Sequence, residues 1–346
     1  MTQYRQDLIT GRWVIVAKER ARRPAAFLSE EASDQSPLYR PEYVENCPFC
    51  YGNEEETPPE EVVWREEDTL KNAGPTCLTR WKVRVVPNKF PAVEPHNHPE
   101  MFSALPGFLY RGMPGFGVHE VIIETPLHNR HPGDLTRHQT ELILEAYLHR
   151  LRFHAHNPNL KYVQLFRNHL REAGASLEHP HSQMVGLPFL PGEIQREMDG
   201  SYRFFLREGR CPYCSLIQEE LSCGERIVYQ AENFVALVPY AARVPFETWI
   251  LPRRHRSAFS QLLAEEIGEL AEVFQKVLGG MARSLNHPPY NLFLHTAPLR
   301  EDELPGYHWH LEILPRLANL AGFEMGSGVY INVTPPEEAA AYLRSA

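Results

Sequence analysis

The chain spells out one ligand series twice. Cys47 and Cys50 are followed by His128 and then by His179-Pro180-His181. Cys211 and Cys214 are followed by His255 and then by His308-Trp309-His310. The step from the middle histidine to the His-x-His is 179 − 128 = 51 residues in the first series and 308 − 255 = 53 in the second. A series repeated in the same order predicts an internal duplication. Each copy must bring a Cys-x-x-Cys turn and two later histidines to one point, which constrains the path of nearly the whole chain.

With 346 residues, the chain can form two domains with real cores. We expect residues 1–195 to hold the first metal site and the nucleophile, and residues 196–346 to hold the second. The boundary is expected near Gly192–Gly209, where composition turns polar. A net charge of −9 argues against broad nucleic-acid binding. No apolar run is long enough to span a bilayer and the N-terminus carries no secretory pattern, so no membrane partner and a cytoplasmic location are expected. Six cysteines in a reducing compartment read as thiols or metal ligands, with Cys77 and Cys223 as ordinary small side chains.

Short β-branched runs predict strands at 13–16, 83–86, 121–124, 163–166 and 184–187, and the acidic segment 54–67 reads as a surface loop. Asp134 or Thr136 can cap a helix carrying Leu144, Tyr147, Leu148 and Leu151. The second half repeats this order. Strands are expected at 235–238, 248–251, 292–294 and 311–314, with a helix placing Leu263, Ile267, Leu270, Phe274, Val277 and Met281 on one stripe. Each half is therefore expected to be an antiparallel sheet with one packed helix, an α+β unit.

Zinc favours four tetrahedral thiolate and imidazole ligands. The first predicted set is Cys47, Cys50, His128 and His179, and the second is Cys211, Cys214, His255 and His308. Neither leaves an open position, so both read as structural. A rival for the second ion, which could be zinc or iron, is Glu197 with His295, His308 and His310. In an alternating strand, His179 and His181 face the same side, so one can bind metal while the other faces a substrate. The backbone carbonyl of His179 is placed to fix the tautomer of His181. Asn168, Gly174, Ala175 and Ser176 form a small polar loop whose N–H groups can approach a phosphate, and Gln183 adds a neutral donor.

These residues are similar, in order and over nearly the whole chain, to the galactose-1-phosphate uridylyltransferase family, the transferase branch of the histidine-triad superfamily. The resemblance rests on His179-Pro180-His181-Ser182-Gln183, the first metal set, Arg20 and Arg23, Asn88-Lys89-Phe90, Phe166 with Asn168, and Gly174 with Ser176. Pro245-Phe246-Glu247-Thr248 and Gly322-Phe323-Glu324-Met325 also match. It implies two histidine-triad-like domains and a two-step exchange. His181 attacks the α-phosphorus of UDP-glucose and expels glucose 1-phosphate; galactose 1-phosphate then takes the UMP group. Gln183, Ser176 and Asn168 would hold phosphoryl oxygens. Asn88, Phe90, Phe166 and Gly174 would line the substrate site. Arg20 and Arg23 would touch nucleotide phosphate or the facing subunit, and Glu324 would contact the hexose across the interface of a homodimer.

The chain departs from the family's best-known members after Met325, where Gly326-Ser327-Gly328 replaces a hexose-contacting glutamine. That segment, with Cys211 and Cys214, looks more like a relative that acts on ADP-glucose as an adenylyltransferase or phosphorylase. A non-catalytic nucleotide-binding protein is a third reading, and a hydrolase a fourth. His310 reads as a relic of the duplication, since nothing equivalent to Gln183 accompanies it.

Overall fold

The computed structural model describes residues 2–20, 41–65, 81–96, 109, 112–318 and 320–345. The first half holds β1 (Gln3–Gln6), β2 (Trp13–Val16), β3 (Val62–Arg65), β4 (Trp81–Pro87), β5 (Val118–Ile123), α1 (Arg137–Ala155), β6 (Tyr162–His169) and β7 (His181–Leu187). Two helices follow, α2 (Gly192–Glu208) and α3 (Pro212–Cys223). The second half holds β8 (Ile227–Gln230), β9 (Phe234–Leu237), β10 (Thr248–Pro252), α4 (Ala264–Leu285), β11 (Tyr290–His295) and β12 (His310–Pro315). It ends with α5 (Gly322–Ser327), β13 (Tyr330–Asn332) and α6 (Pro336–Arg344).

The duplication is legible in the sheet. Ten strands run in the order β3-β4-β5-β7-β6-β11-β12-β10-β9-β8. Outward from the centre, each half repeats one sequence of strand roles. The halves meet where β6 pairs antiparallel with β11, with Phe166 opposite Phe293. The Gln164 side-chain amide donates across this seam to the Leu294 carbonyl at 3.0 Å. The expected α+β units are therefore present but share one continuous sheet. A separate three-stranded sheet, β1-β2-β13, packs beside the second half.

Helices α1 and α4 pack against each other and share a core with inward residues of both half-sheets. On α4 the stripe Ile267, Leu270, Phe274, Val277 and Met281 is buried, each side chain contributing roughly 1.5–3 kcal/mol of transfer free energy. Leu263, expected on that stripe, is the N-cap, where Glu266 accepts its N–H at 3.1 Å. Thr136 caps α1, its Oγ1 accepting the Gln139 N–H at 3.2 Å, while Asp134 lies in the preceding 3-10 turn. That turn presses on α4: a β-carbon on Gly133 would fall 2.6 Å from the Gly279 backbone, so the approach needs glycine.

One expectation is corrected. The acidic segment 54–67 contains strand β3, because Val62, Val63 and Trp64 pair with β4 on the sheet edge. The polar stretch Gly192–Gly209 is the helix α2 with its C-cap. Its polarity is the outer face of an amphipathic helix whose inner face buries Ile194, Glu197 and Ser201. Among the described residues, no helix is long and apolar enough to cross a membrane.

Candidate active site and metal centres

Strand alternation builds the site. On β7, Ser182 and Met184 turn toward α1, where Tyr147 reaches the Ser182 hydroxyl at 2.6 Å. His181 and Gln183 turn the other way, into a cavity of about 710 Å³. Phe49, Asn88, Phe90 and Ser176 share its wall. Such a volume suits a small organic ligand. The Phe49 ring meets His181 edge-on, with centroids 5.3 Å apart.

His181 Nδ1 donates to the carbonyl of His179 at 2.7 Å. In a neutral imidazole this leaves Nε2 as the lone-pair nitrogen. Burial, opposed by that hydrogen bond and aided by the nearby Arg167 guanidinium, pushes His181 down to about 4, so its ring is neutral at pH 7. Arg167 is itself buried against Glu124, which also accepts from Tyr147 at 2.8 Å. This layer lies directly beneath the strand that carries His181.

Ligand atoms of Cys47, Cys50, His128 and His179 lie within 4.8 Å of one another, as do those of Cys211, Cys214, His255 and His308. A tetrahedral ion with bonds of about 2.3 Å to sulfur and about 2.05 Å to nitrogen would set S···N near about 3.6 Å. Cys50 Sγ stands 3.5 Å from His128 Nδ1 and 3.6 Å from His179 Nδ1. Cys214 Sγ stands 3.5 Å from His255 Nδ1 and 3.7 Å from His308 Nδ1. The outer nitrogens are oriented in parallel ways: His179 Nε2 donates to the Thr125 carbonyl and His308 Nε2 to the Pro252 carbonyl, both at 2.8 Å. Each histidine thus turns an unprotonated Nδ1 toward the thiols, as a metal ligand must. Burial pushes the Cys50 thiol up to about 11, so its thiolate needs a nearby cation. Both sets fit a metal ion.

The rival second set is redrawn. His308 faces Cys214, and the group around Glu197, His295 and His310 is completed by Glu312. Alternation along β12 sets His310 and Glu312 on one face, whereas His308 precedes the strand and its ring reaches toward the Cys211–Cys214 turn. Protein groups already balance this buried cluster. Glu197 accepts from His295 at 2.9 Å and from Tyr307 at 3.1 Å, and Arg243 pairs with both Glu247 and Glu312. Burial alone would lower His295, but Glu197 and Glu312 hold it above its ordinary value.

Other expected residues are not among those lining the cavity, although Phe166 pairs across the sheet with Gln183. Phe166 and Asn168 sit on β6, where Asn168 Oδ1 accepts from Asn291 at 2.8 Å. Gly174, at φ 93°, makes the left-handed turn that returns the chain toward Ser176. Arg20 lies at the end of a 3-10 turn beyond β2, and Glu324 is half-buried on α5, where its carboxylate caps Ala321 N–H at 3.1 Å. Neither lines the cavity around His181. Arg23, Arg22 and Cys77 fall outside the described residues. The sequence reading missed Phe49 and His119. Phe49 lies inside the first Cys-x-x-Cys. His119 shares the face of β5 with Val121, and its Nε2 lies 2.9 Å from Gln183 Oε1.

A duplicated α+β sheet thus carries two Cys2His2 clusters and, on the face of its first half, a cavity lined by His181. Models of the galactose-1-phosphate uridyl transferase N-terminal and C-terminal domains match residues 1–191 and 162–341, and the chain belongs to that family. An ADP-glucose phosphorylase of Arabidopsis thaliana is 37% identical over 344 residues, covering 99% of this chain and 92% of that protein. A galactose-1-phosphate uridylyltransferase of Thermotoga maritima is 30% identical over 352 residues, covering 99% and 98%. A crystal structure of the Arabidopsis phosphorylase with bound ADP-glucose superposes with a TM-score of 0.80 at 34% identity, covering 100% of this chain and 99% of that one. The family identification carries nucleotidyl transfer as the general activity.

Proposed function

We propose that the protein transfers a nucleoside monophosphate between sugar phosphates through a covalent nucleotidyl-His181. The observation that carries this is the Nδ1 bond of His181 to its own backbone, which leaves the lone pair of a neutral ring in the cavity. In the first step Nε2 bonds to the α-phosphorus while the bond to the bridging oxygen breaks, releasing hexose 1-phosphate. That leaving group is a phosphate and needs no strong acid, so Gln183 serves by donating hydrogen bonds to the phosphoryl oxygens. In the second step an acceptor phosphate takes the nucleotidyl group and His181 is restored. Ser176 and Asn168 would assist at phosphate, with Gly174 permitting the approach, and Asn88, Phe90 and Phe166 would lie along the nucleotide.

We assign zinc to both Cys2His2 sets, with iron an alternative at the second. A closed four-ligand ion would hold the base of each half and anchor the strand that carries each His-x-His. The domain division is proposed at 195/196, near the start of α2. Arg20, Arg23 and Glu324 are assigned to the faces of a homodimer, since Arg20 and Glu324 lie outside the cavity.

Membership of the family supports exchange of UMP between UDP-glucose and galactose 1-phosphate. A second reading is supported by a specific observation: the ADP-glucose phosphorylase is more similar to this chain than the Thermotoga uridylyltransferase is. In that case ADP-glucose is the donor and inorganic phosphate an acceptor. The deciding experiment compares kcat/KM for UDP-glucose and ADP-glucose, with galactose 1-phosphate and then phosphate as acceptor. A preference of at least about tenfold, or about 1.4 kcal/mol in transition-state binding, assigns the base. Acid-labile α-phosphate label on His181 supports the covalent step, whereas free UMP or AMP accumulating without an acceptor overturns transfer in favour of hydrolysis.

A further inference from the structure

Gln183 can donate to a phosphoryl oxygen only if its amide is turned the right way, and two side chains beside it fix that choice. Asn88 Oδ1 accepts the Phe90 backbone N–H at 2.8 Å, so the NH2 end of Asn88 must point the other way. It lies 3.5 Å from Gln183 Oε1 and 3.1 Å from His119 Nε2; with the tautomer assigned below, the latter is a side-by-side contact of two donors that share the Gln183 oxygen, not a hydrogen bond. The Ala92 backbone N–H points at His119 Nδ1, 3.1 Å away. A backbone amide cannot exchange its role, so Nδ1 must be the acceptor and the neutral ring carries its proton on Nε2. The opposite tautomer would set two N–H groups against each other at Ala92. His119 Nε2–H therefore meets Gln183 Oε1 at 2.9 Å. Two donors now converge on one atom, which must be the amide oxygen. A flipped Gln183 would press its NH2 against both.

We propose that His119 is a positioning residue for nucleotidyl transfer, holding the Gln183 carbonyl so that the amide N–H bonds face the phosphoryl group at His181. The assignment rests on the reading of His181 as the nucleophile. It links two parts of the site, because the turn Asn88–Ala92 that presents Phe90 to the cavity also dictates both the Asn88 amide and the His119 tautomer. His119 itself need touch no substrate.

The test uses the full chain, with UDP-glucose and ADP-glucose each labelled in the α-phosphate. His119→Ala is expected to slow label transfer to the enzyme about tenfold or more, as misdirecting one phosphoryl-facing donor should. His119→Gln, which can still offer an N–H to Gln183 Oε1, is expected to stay within about threefold of the parent. Adding His119→Ala to Gln183→Ala should cost nothing further, and metal content and Tm should not change. Long-range 1H–15N spectra of histidine rings, with the His119 signal identified by its loss in His119→Gln, should report the Nε2–H tautomer without any turnover. An Nδ1–H tautomer, or losses that multiply in the double variant, would overturn the assignment. A parent enzyme that takes up no label defeats the transferase reading alone, and the ring spectrum still decides the role of His119.

Discussion

The two halves place the same pair of histidines on the same strand, yet one face is open and the other is filled. His181 on β7 lines a cavity of about 710 Å³, whereas the space bounded by Glu197, Tyr213, Arg243, Trp249 and Glu312 beside β12 is about 10 Å³, room for one water. The backbone device is common to both: His310 Nδ1 meets the His308 carbonyl at 3.1 Å, as His181 meets that of His179. Two residues further on, the halves part. Gln183 faces the cavity as a neutral donor, and Glu312 ends in the buried network of Arg243 and His295. Helices α2 and α3 and the loop at Ile9 then close the second face. A β-carbon on Gly200 of α2 would fall 1.8 Å from the Ile9 carbonyl oxygen, which measures how tightly that cover is seated. A duplicated frame thus supplies one histidine on an open cavity and one in a filled face, and the difference lies in what covers each.

The sharpest way to break this comparison is at the histidines themselves. His181→Ala is expected to lower transfer by at least about 10⁴-fold, while His310→Gln keeps kcat per folded molecule within about threefold. Steady-state kinetics corrected for folded fraction checks both; equal losses would mean that the second copy takes part in chemistry. The next largest effect concerns stability. Glu312→Ala leaves Arg243 short of one carboxylate in a buried network, and a cost of roughly 3–5 kcal/mol is expected in urea unfolding. Surface exposure of that network in solution would show as a change below about 1 kcal/mol.

The smallest effect is at the seam between the halves. His131 accepts the Gly133 N–H at 3.1 Å, and its ring lies 4.8 Å from His169 of β6 and 5.8 Å from Tyr290 of β11. Burial, with His287 nearby, pushes His131 down to about 3 from its ordinary 6.5. The unfolded chain therefore binds a proton that the fold refuses. The contribution is intact above pH 6.5 and is lost as pH falls from 6.5 toward about 3, at up to about 1.4 kcal/mol per pH unit. Unfolding midpoints measured from pH 7 to 4.5 should fall less in His131→Asn than in the parent. An equal slope in the two would locate the acid sensitivity elsewhere.

Much of the site was legible because it obeys local rules. The Cys-x-x-Cys turns and the stripe on α4 are fixed by short-range geometry. Strand β3 was hidden because its acidic surroundings look like a loop until β4 lies beside it. Helix α2 was hidden because its outer face is polar. His119 gave only the signal of its strand face, and its meaning came from Ala92 and Gln183, 27 and 64 residues away.

The sequence by itself determined the duplication and the two Cys2His2 sets. Each follows from residue types that recur in one order at nearly equal spacing. Only the tertiary structure decided that the halves share one sheet through β6 and β11, that Glu312 and not His308 completes the buried acidic cluster, and that one histidine face stays open. Those outcomes depend on which distant segments pack against one another, and neither spacing nor composition encodes the shape that such packing leaves behind.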